Sequence, residues 1–131
     1  MPEYMGKVFE DICSQFVMRI GYPITGRWWG SAGRKTMGID VIGAAASDGR
    51  RLGLFGECKF TGKEADAAVV KSLMESADHV KGFDVKNYAV FSRSGFTESL
   101  EIRAEAQNVM LITINDLYDL ELIERMRSEH I

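Results

Sequence analysis

Residues 37–60 read MGIDVIGAAASDGRRLGLFGECKF. Two apolar runs flank Ser47-Asp48-Gly49-Arg50, and an Asp-Gly pair between strand-like runs is a strong hairpin signal. Side chains alternate across a strand, so Leu52, Leu54, Gly56, Cys58 and Phe60 form one apolar face of the second run. Glu57 and Lys59 share the other face with Gly53 and Phe55. The first run buries one carboxylate, Asp40, and an ionised carboxylate in such surroundings is expensive unless a partner or a cation compensates it. A turn at Asp48-Gly49 brings Asp40 level with Glu57 on the neighbouring strand.

Working outward, the stretch EYMGKVFEDICSQFVMRI places Val8, Phe9, Ile12, Cys13, Phe16, Val17 and Ile20 at helical spacing, which predicts an amphipathic helix stopped by Gly21-Tyr22-Pro23. ITGRWWG then adds a strand before a turn at Ser31, Gly33 and Arg34, so three consecutive strands form an antiparallel meander. After Thr61-Gly62 an apolar stripe of Ala65, Ala68, Val69, Leu73, Ala77 and Val80 predicts a helix. NYAVFS (87–92) is a short buried strand, a helix follows over about 97–107, and VMLIT (109–113) is another buried strand. Asn115 or Asp116 is expected to cap a final helix carrying Leu117, Leu120, Ile123 and Met126. The order αβββαβαβα gives an α/β fold, a mixed sheet of antiparallel and then parallel strands flanked by helices. Residues 1–131 read as one domain, with no repeat, linker or low-complexity tract.

Composition narrows the function classes. A chain with 46% hydrophobic and 27% charged residues is globular rather than disordered. No run of about 18 apolar residues predicts a membrane span. The acidic, amphipathic N-terminus is unlike a signal peptide, so a cytoplasmic setting is expected, with Cys13 and Cys58 as reduced core thiols. The net charge of −3 is unevenly spread. Between Arg27 and Lys63 seven basic residues face three acids, whereas from Glu98 onward eight acids face three arginines. Either a polyanion meets the first segment, with Arg27, Arg34, Lys35 and Lys63 on backbone phosphates, or these charges belong to ordinary solvated loops and a solvated terminal helix.

Two carboxylates converging beside a lysine suit a specific chemistry. Asp40 and Glu57 offer hard oxygen ligands for Mg²⁺ or Mn²⁺, which keeps several waters and recruits phosphate oxygens. Such a metal lowers the pKa of a bound water, and Lys59 is placed to orient that water or to stabilise a leaving oxyanion. A half-buried structural ion pair at the sheet end is the competing role for these residues.

At this point the motifs resemble a known family. GID followed after a hairpin by ECK, behind a helix carrying a glutamate, resembles the PD-(D/E)xK nuclease superfamily with its restriction-endonuclease-like fold. More narrowly, GRWWG (26–30), GIDVIG (38–43), LGLFGECKF (52–60) and YAVFSRSGF (88–96) resemble the nuclease-like domain C-terminal to archaeal and bacterial P-loop (DEXX-box) ATPases. The resemblance runs from Tyr4 to about Leu120. It implies Asp40 and Glu57 as metal ligands, Lys59 as the catalytic lysine, the Cys58 backbone carbonyl as a further ligand and Glu10 as the helical glutamate. Relatives often carry an acid just before the Ile-Asp dipeptide, where this chain has Gly38.

The resulting expectation is a Mg²⁺-dependent endodeoxyribonuclease that hydrolyses DNA phosphodiesters with metal-activated water. The alternative is a catalytically silent module that binds nucleic acid or regulates a P-loop ATPase partner. Homodimerisation through a sheet edge or the acidic terminal helix is a further option. Trp28 and Trp29 point to opposite faces, so one is expected to pack while the other is free to touch a base or a partner, with sheet packing preferred for the pair. WGSAGRKT (29–36) ends like a phosphate-binding loop but has Trp29 and Arg34 where that motif needs glycine.

Overall fold

The computed structural model describes residues 3–32 and 35–130. Its elements are α1 (Glu3–Arg19), β1 (Ile24–Ala32), β2 (Lys35–Ser47), β3 (Arg50–Lys59), α2 (Ala68–Ala77), β4 (Val85–Ser92), α3 (Glu98–Gln107), β5 (Val109–Thr113), α4 (Ile114–Leu117) and α5 (Leu120–His130). The five strands form one mixed sheet in the order β1-β2-β3-β4-β5. β1, β2 and β3 pair antiparallel, and β4 and β5 add on in parallel.

The hairpin signal acts as read. Asp48 and Gly49 have φ of 52° and 77°, the two positive values that a two-residue turn needs to match the twist of its strands. Ser47 and Arg50 close the ladder beside it. The turn at 31–34 is shorter than expected, because β1 continues through Ser31 to Ala32; Gly33 and Arg34 lie outside the described residues.

Parallel strands need crossovers, and α2 and α3 supply them. The strand order advances the same way twice, and right-handed crossovers then place both helices on one face. There Phe55, Val70, Leu73, Val90 and Leu100 form one core. On the other face α1, α4 and α5 bury Phe9, Phe16, Ile20, Leu54 and Phe91. Strand β4 is apolar on both sides for this reason: Val90 serves one core and Phe91 the other.

Two local expectations are corrected. The buried stripe of α2 is Val70, Leu73, Ser76 and Ala77, while Ala65 precedes the helix and bridges Phe96. The terminal helix is two helices rather than one. Thr113 caps α4 and closes a capping box with Asp116, and Asp119 then accepts from the Leu122 N–H to start α5. Asp116 is therefore the third residue of a short helix and not the cap of a long one.

Helix α1 lies very close to the sheet at Gly43. A Cβ there would collide with the Val17 side chain and come within 2.8 Å of the Tyr22 Cβ. Gly43→Ala is expected to destabilise the protein by about 1–3 kcal/mol through overpacking, seen as a lower urea midpoint with an unchanged m-value.

Candidate metal-dependent nuclease site

The irregular point of the sheet coincides with Asp40. Between the pairs Gly26↔Ile42 and Trp28↔Ile39, the single residue Arg27 of β1 faces both Asp40 and Val41 of β2. This β-bulge breaks the two-residue period: Val41 packs toward α1, whereas Ile39 packs toward α2. The β2–β3 register ends at Val41↔Gly56, so Asp40 stands where the two strands part. Its Oδ2 accepts a hydrogen bond from the Cys58 N–H at 2.9 Å. The N–H and C=O of a residue in an extended strand point to the same edge, so the Cys58 carbonyl also faces β2. The Lys59 carbonyl faces the opposite edge, where it accepts from the Arg93 N–H at 3.0 Å.

Glu57 and Lys59 are half-buried on the α2 side of β3 and form an ion pair at 3.3 Å. Glu10 comes from the opposite side, on α1 beside the buried Phe9, and its Oε1 lies 2.8 Å from the Arg27 guanidinium. Burial, and then the charge of Asp40, push the Glu57 carboxyl up to about 7 against the opposing pull of Lys59. The same two causes raise Glu10, with Arg27 opposing them. Asp40 is thus the neighbouring charge that raises both glutamates most. The Cys58 side chain points away from this group and packs toward α1; a hydrogen bond with the Cys13 thiol, together with burial, holds its own thiol well above the usual range.

The structure brings together Asp40, Glu57, Lys59 and the Cys58 backbone, with Glu10 at the margin. It does not gather the four basic residues into one patch. Arg27 is engaged by Glu10, and Lys63 lies beyond the strand end, lining an open cleft of about 410 Å³ with Lys59, Thr61, Glu64 and Ser72. Arg34 lies outside the described residues, as does the side chain of Lys35. Ser92 is a residue that sequence reasoning passes over. It stands in register with Lys59 and with Thr113, wholly buried, and its hydroxyl has no partner among the described residues. The sequence marks it only by its place at the end of the buried run YAVFS. Arg93, next to it, lays its guanidinium 4.8 Å from the Phe60 ring centroid and adds a cation at this end of the sheet.

Among the described residues no three His, Cys, Asp or Glu side chains form a metal-binding group. The donor set here is two carboxylates and a backbone carbonyl, all hard oxygens. That suits Mg²⁺, which retains waters and takes few protein ligands, better than a metal needing a full protein cage. No described helix is long and apolar enough to cross a membrane.

No curated protein sequence matches the chain. Among solved structures, the protein of unknown function AF1548 is similar at a TM-score of 0.58 with 18% identity, over 95% of this chain and 66% of that one. The MspJI restriction endonuclease in complex with a 27-mer oligonucleotide gives a TM-score of 0.55 with 12% identity, over 93% of this chain and 28% of its own. The DNA modification-dependent restriction endonuclease AspBHI gives 0.55 with 15% identity, over 95% of this chain and 31% of its own. The chain thus spans about two thirds of the first structure and less than a third of either restriction enzyme, and what it shares with them is the fold. Residues 1–70 hold α1, the meander and the Asp40, Glu57 and Lys59 set, and they match DUF234; this chain, with its restriction-endonuclease-like fold, belongs to that family of archaeal and bacterial proteins of unknown function.

Proposed function

We propose that this chain is a metal-dependent nuclease domain that hydrolyses phosphodiester bonds in DNA. The observation that supports it best is the Asp40 carboxylate fixed on the Cys58 N–H at 2.9 Å, beside the Glu57–Lys59 pair at 3.3 Å. Asp40, Glu57 and the Cys58 carbonyl would hold Mg²⁺ or Mn²⁺, with Glu10 an outlying carboxylate. When bound, the ion supplies a more acidic water and neutralises charge on the phosphate. Lys59, already drawn to Glu57, would place its ammonium against the negative charge that develops on the phosphoryl oxygens. Lys63, Arg34 and Lys35 would meet flanking phosphates. Arg27 would do so only by leaving Glu10, so its main part is to hold that carboxylate.

The test is calorimetric titration with Mn²⁺, combined with incubation of duplex, branched and single-stranded DNA with and without the ion. Metal binding with metal-dependent cleavage of at least one DNA form is expected. Absence of both overturns the reading. Lys59→Ala should lower cleavage by about 10²–10³-fold, as loss of one charge-stabilising donor does, while leaving Mn²⁺ affinity undiminished.

A second reading has its own support. Glu57 and Glu10 already have cationic partners in Lys59 and Arg27, as they would in a silent module that binds nucleic acid or attaches to a P-loop ATPase. DNA binding that ignores Mn²⁺, with no cleavage of any form, would favour that module.

A further inference from the structure

We propose that two copies of this chain pair through the outer edges of their β1 strands, joining the two sheets across a two-fold axis at Trp28. β1 is the end strand of the sheet, and among the described residues no strand extends the ladder on its outer side. A long run of unpaired main chain is a template for another strand unless proline, lysine or a covering element blunts it. Ile24–Ala32 holds neither proline nor lysine. Its single charge, Arg27, is drawn over the face of the sheet to Glu10 of α1.

The direction of the main-chain groups limits which residues can meet. Ser47 and Arg50 close the β2–β3 hairpin, so alternate residues of β2 bond to β3 and those between, Ala44 and Ile42 among them, bond to β1. Their partners Ile24 and Gly26 therefore spend their N–H and C=O groups inside the sheet. The extra residue of the bulge belongs to β2, so the alternation of β1 continues, and Thr25, Arg27, Trp29 and Ser31 present their groups outward. Outward groups of one copy must meet outward groups of the other. Setting Ile24 against Ala32 of the second copy achieves this along the whole strand, with Thr25 opposite Ser31, Arg27 opposite Trp29 and about eight main-chain hydrogen bonds. A slip of two residues either way leaves one end of the strand unpaired. One of those slips also sets Arg27 against itself, and like charges directly opposite work against pairing.

The faces of the sheet leave room for the second copy. α1 lies over β2, with Val17 set directly above Gly43. The two copies of α1 would then stand three strand spacings apart, about 14 Å, so they do not collide. Packed helices come to roughly 8–10 Å, which makes the space between these two a trough. Trp28 packs beneath α2, and Trp29, on the other face, leaves 70% of its surface in solvent. In the paired sheets Trp29 of each copy enters that trough beside Arg27 of the other. The guanidinium can lie against the indole and still hold Glu10, because the ring meets its flat side and the carboxylate its edge.

Sedimentation velocity of the full chain over a wide concentration range tests the pairing, and a concentration-dependent dimer is expected. Thr25→Pro removes an outward N–H without touching the ladder to β2. It should weaken the dimer about tenfold to a hundredfold and leave the far-UV spectrum unchanged. The register is read from Ser31→Cys carrying a nitroxide, with the unsubstituted protein treated in the same way as the blank. Ser31 lies opposite Thr25 of the second copy, so the two labels are offset by six residues and should be about 20 Å apart. A monomer at every concentration overturns the proposal. So does a dimer that T25P leaves intact, or a separation of the labels beyond about 30 Å. Should T25P fail to fold, the label distance decides by itself. Neither measurement uses DNA or a metal, so the pairing stands or falls apart from the nuclease reading.

Discussion

Asp40→Asn is expected to lower metal-dependent DNA cleavage by at least about a thousandfold, since the transition-state stabilisation that a correctly held metal supplies is several kcal/mol. The substitution is informative because of what it keeps. Asparagine has the shape of aspartate and still offers an oxygen to the Cys58 N–H, so the 2.9 Å bond at the strand divergence can persist. Only the charge is lost. Mn²⁺ affinity should fall with the activity, and the Glu57 and Glu10 carboxyls should titrate lower, because Asp40 is the foremost neighbouring charge raising each. Alanine at this position would combine two opposed effects. It would relieve repulsion among the carboxylates but strand the part-buried Cys58 N–H, at about 1–3 kcal/mol. Cleavage by D40N at the wild-type rate would remove Asp40 from the reaction altogether.

The second large effect concerns stability, and its sign follows from Glu57. Burial and then Asp40 raise this carboxyl from 4.5 to about 7, so between those values the folded protein holds a proton that the unfolded chain has released. The stabilisation is complete below about pH 4.5 and is lost as the pH rises through 7. In the absence of metal the protein should therefore lose up to about 3 kcal/mol between pH 5 and pH 8, at roughly 1.4 kcal/mol for each tenfold difference in proton affinity between the folded and unfolded chains. Glu57→Gln cannot ionise, so it should flatten that slope and be the more stable protein at pH 8, while its cleavage is abolished. Mg²⁺ at pH 8 should stabilise the wild type more than E57Q, because the proposed site would lose one of its two carboxylates. Urea midpoints across pH, with and without Mg²⁺, measure all of this. Parallel pH profiles for wild type and variant would show that Glu57 is not strained by its surroundings.

The stability gained by removing Glu57 and the activity lost with it would share one origin. A carboxylate held among apolar neighbours and beside another carboxylate is poor architecture for a fold and good architecture for a cation. The same conflict is visible at Asp40, where the sheet gives up a regular ladder and commits the side chain to a backbone N–H.

Much of this is legible in the chain itself. The Asp48-Gly49 turn can form only one tight hairpin, and its position sets the pairing of everything on either side, including the approach of Asp40 to Glu57. Glu57, Cys58 and Lys59 take their faces from the two-residue period, which β3 obeys without interruption. The doubly apolar runs around Val90 and Val109–Thr113 announce buried parallel strands, because only strands covered on both faces are apolar throughout.

Other features depend on contacts between distant segments. Nothing local marks the bulge at Asp40–Val41; it lies where β2, still paired with β1, parts from β3. Arg27 reads as a free cation until α1 brings Glu10 to 2.8 Å from it, and the choice of Trp28 over Trp29 for the core was made by the helix that came to rest above one of them. Thr113 outcompetes Asn115 as a cap because the end of β5 leaves its hydroxyl aimed at the Asp116 N–H. Sequence alone thus determined most of the elements, the hairpin turn and which residues make up the candidate site, since these rest on backbone preference and periodicity within a few residues. Tertiary structure alone decided which charges meet, where the strand breaks its period and which tryptophan faces solvent, since these are settled by the packing of surfaces that no short stretch of chain contains.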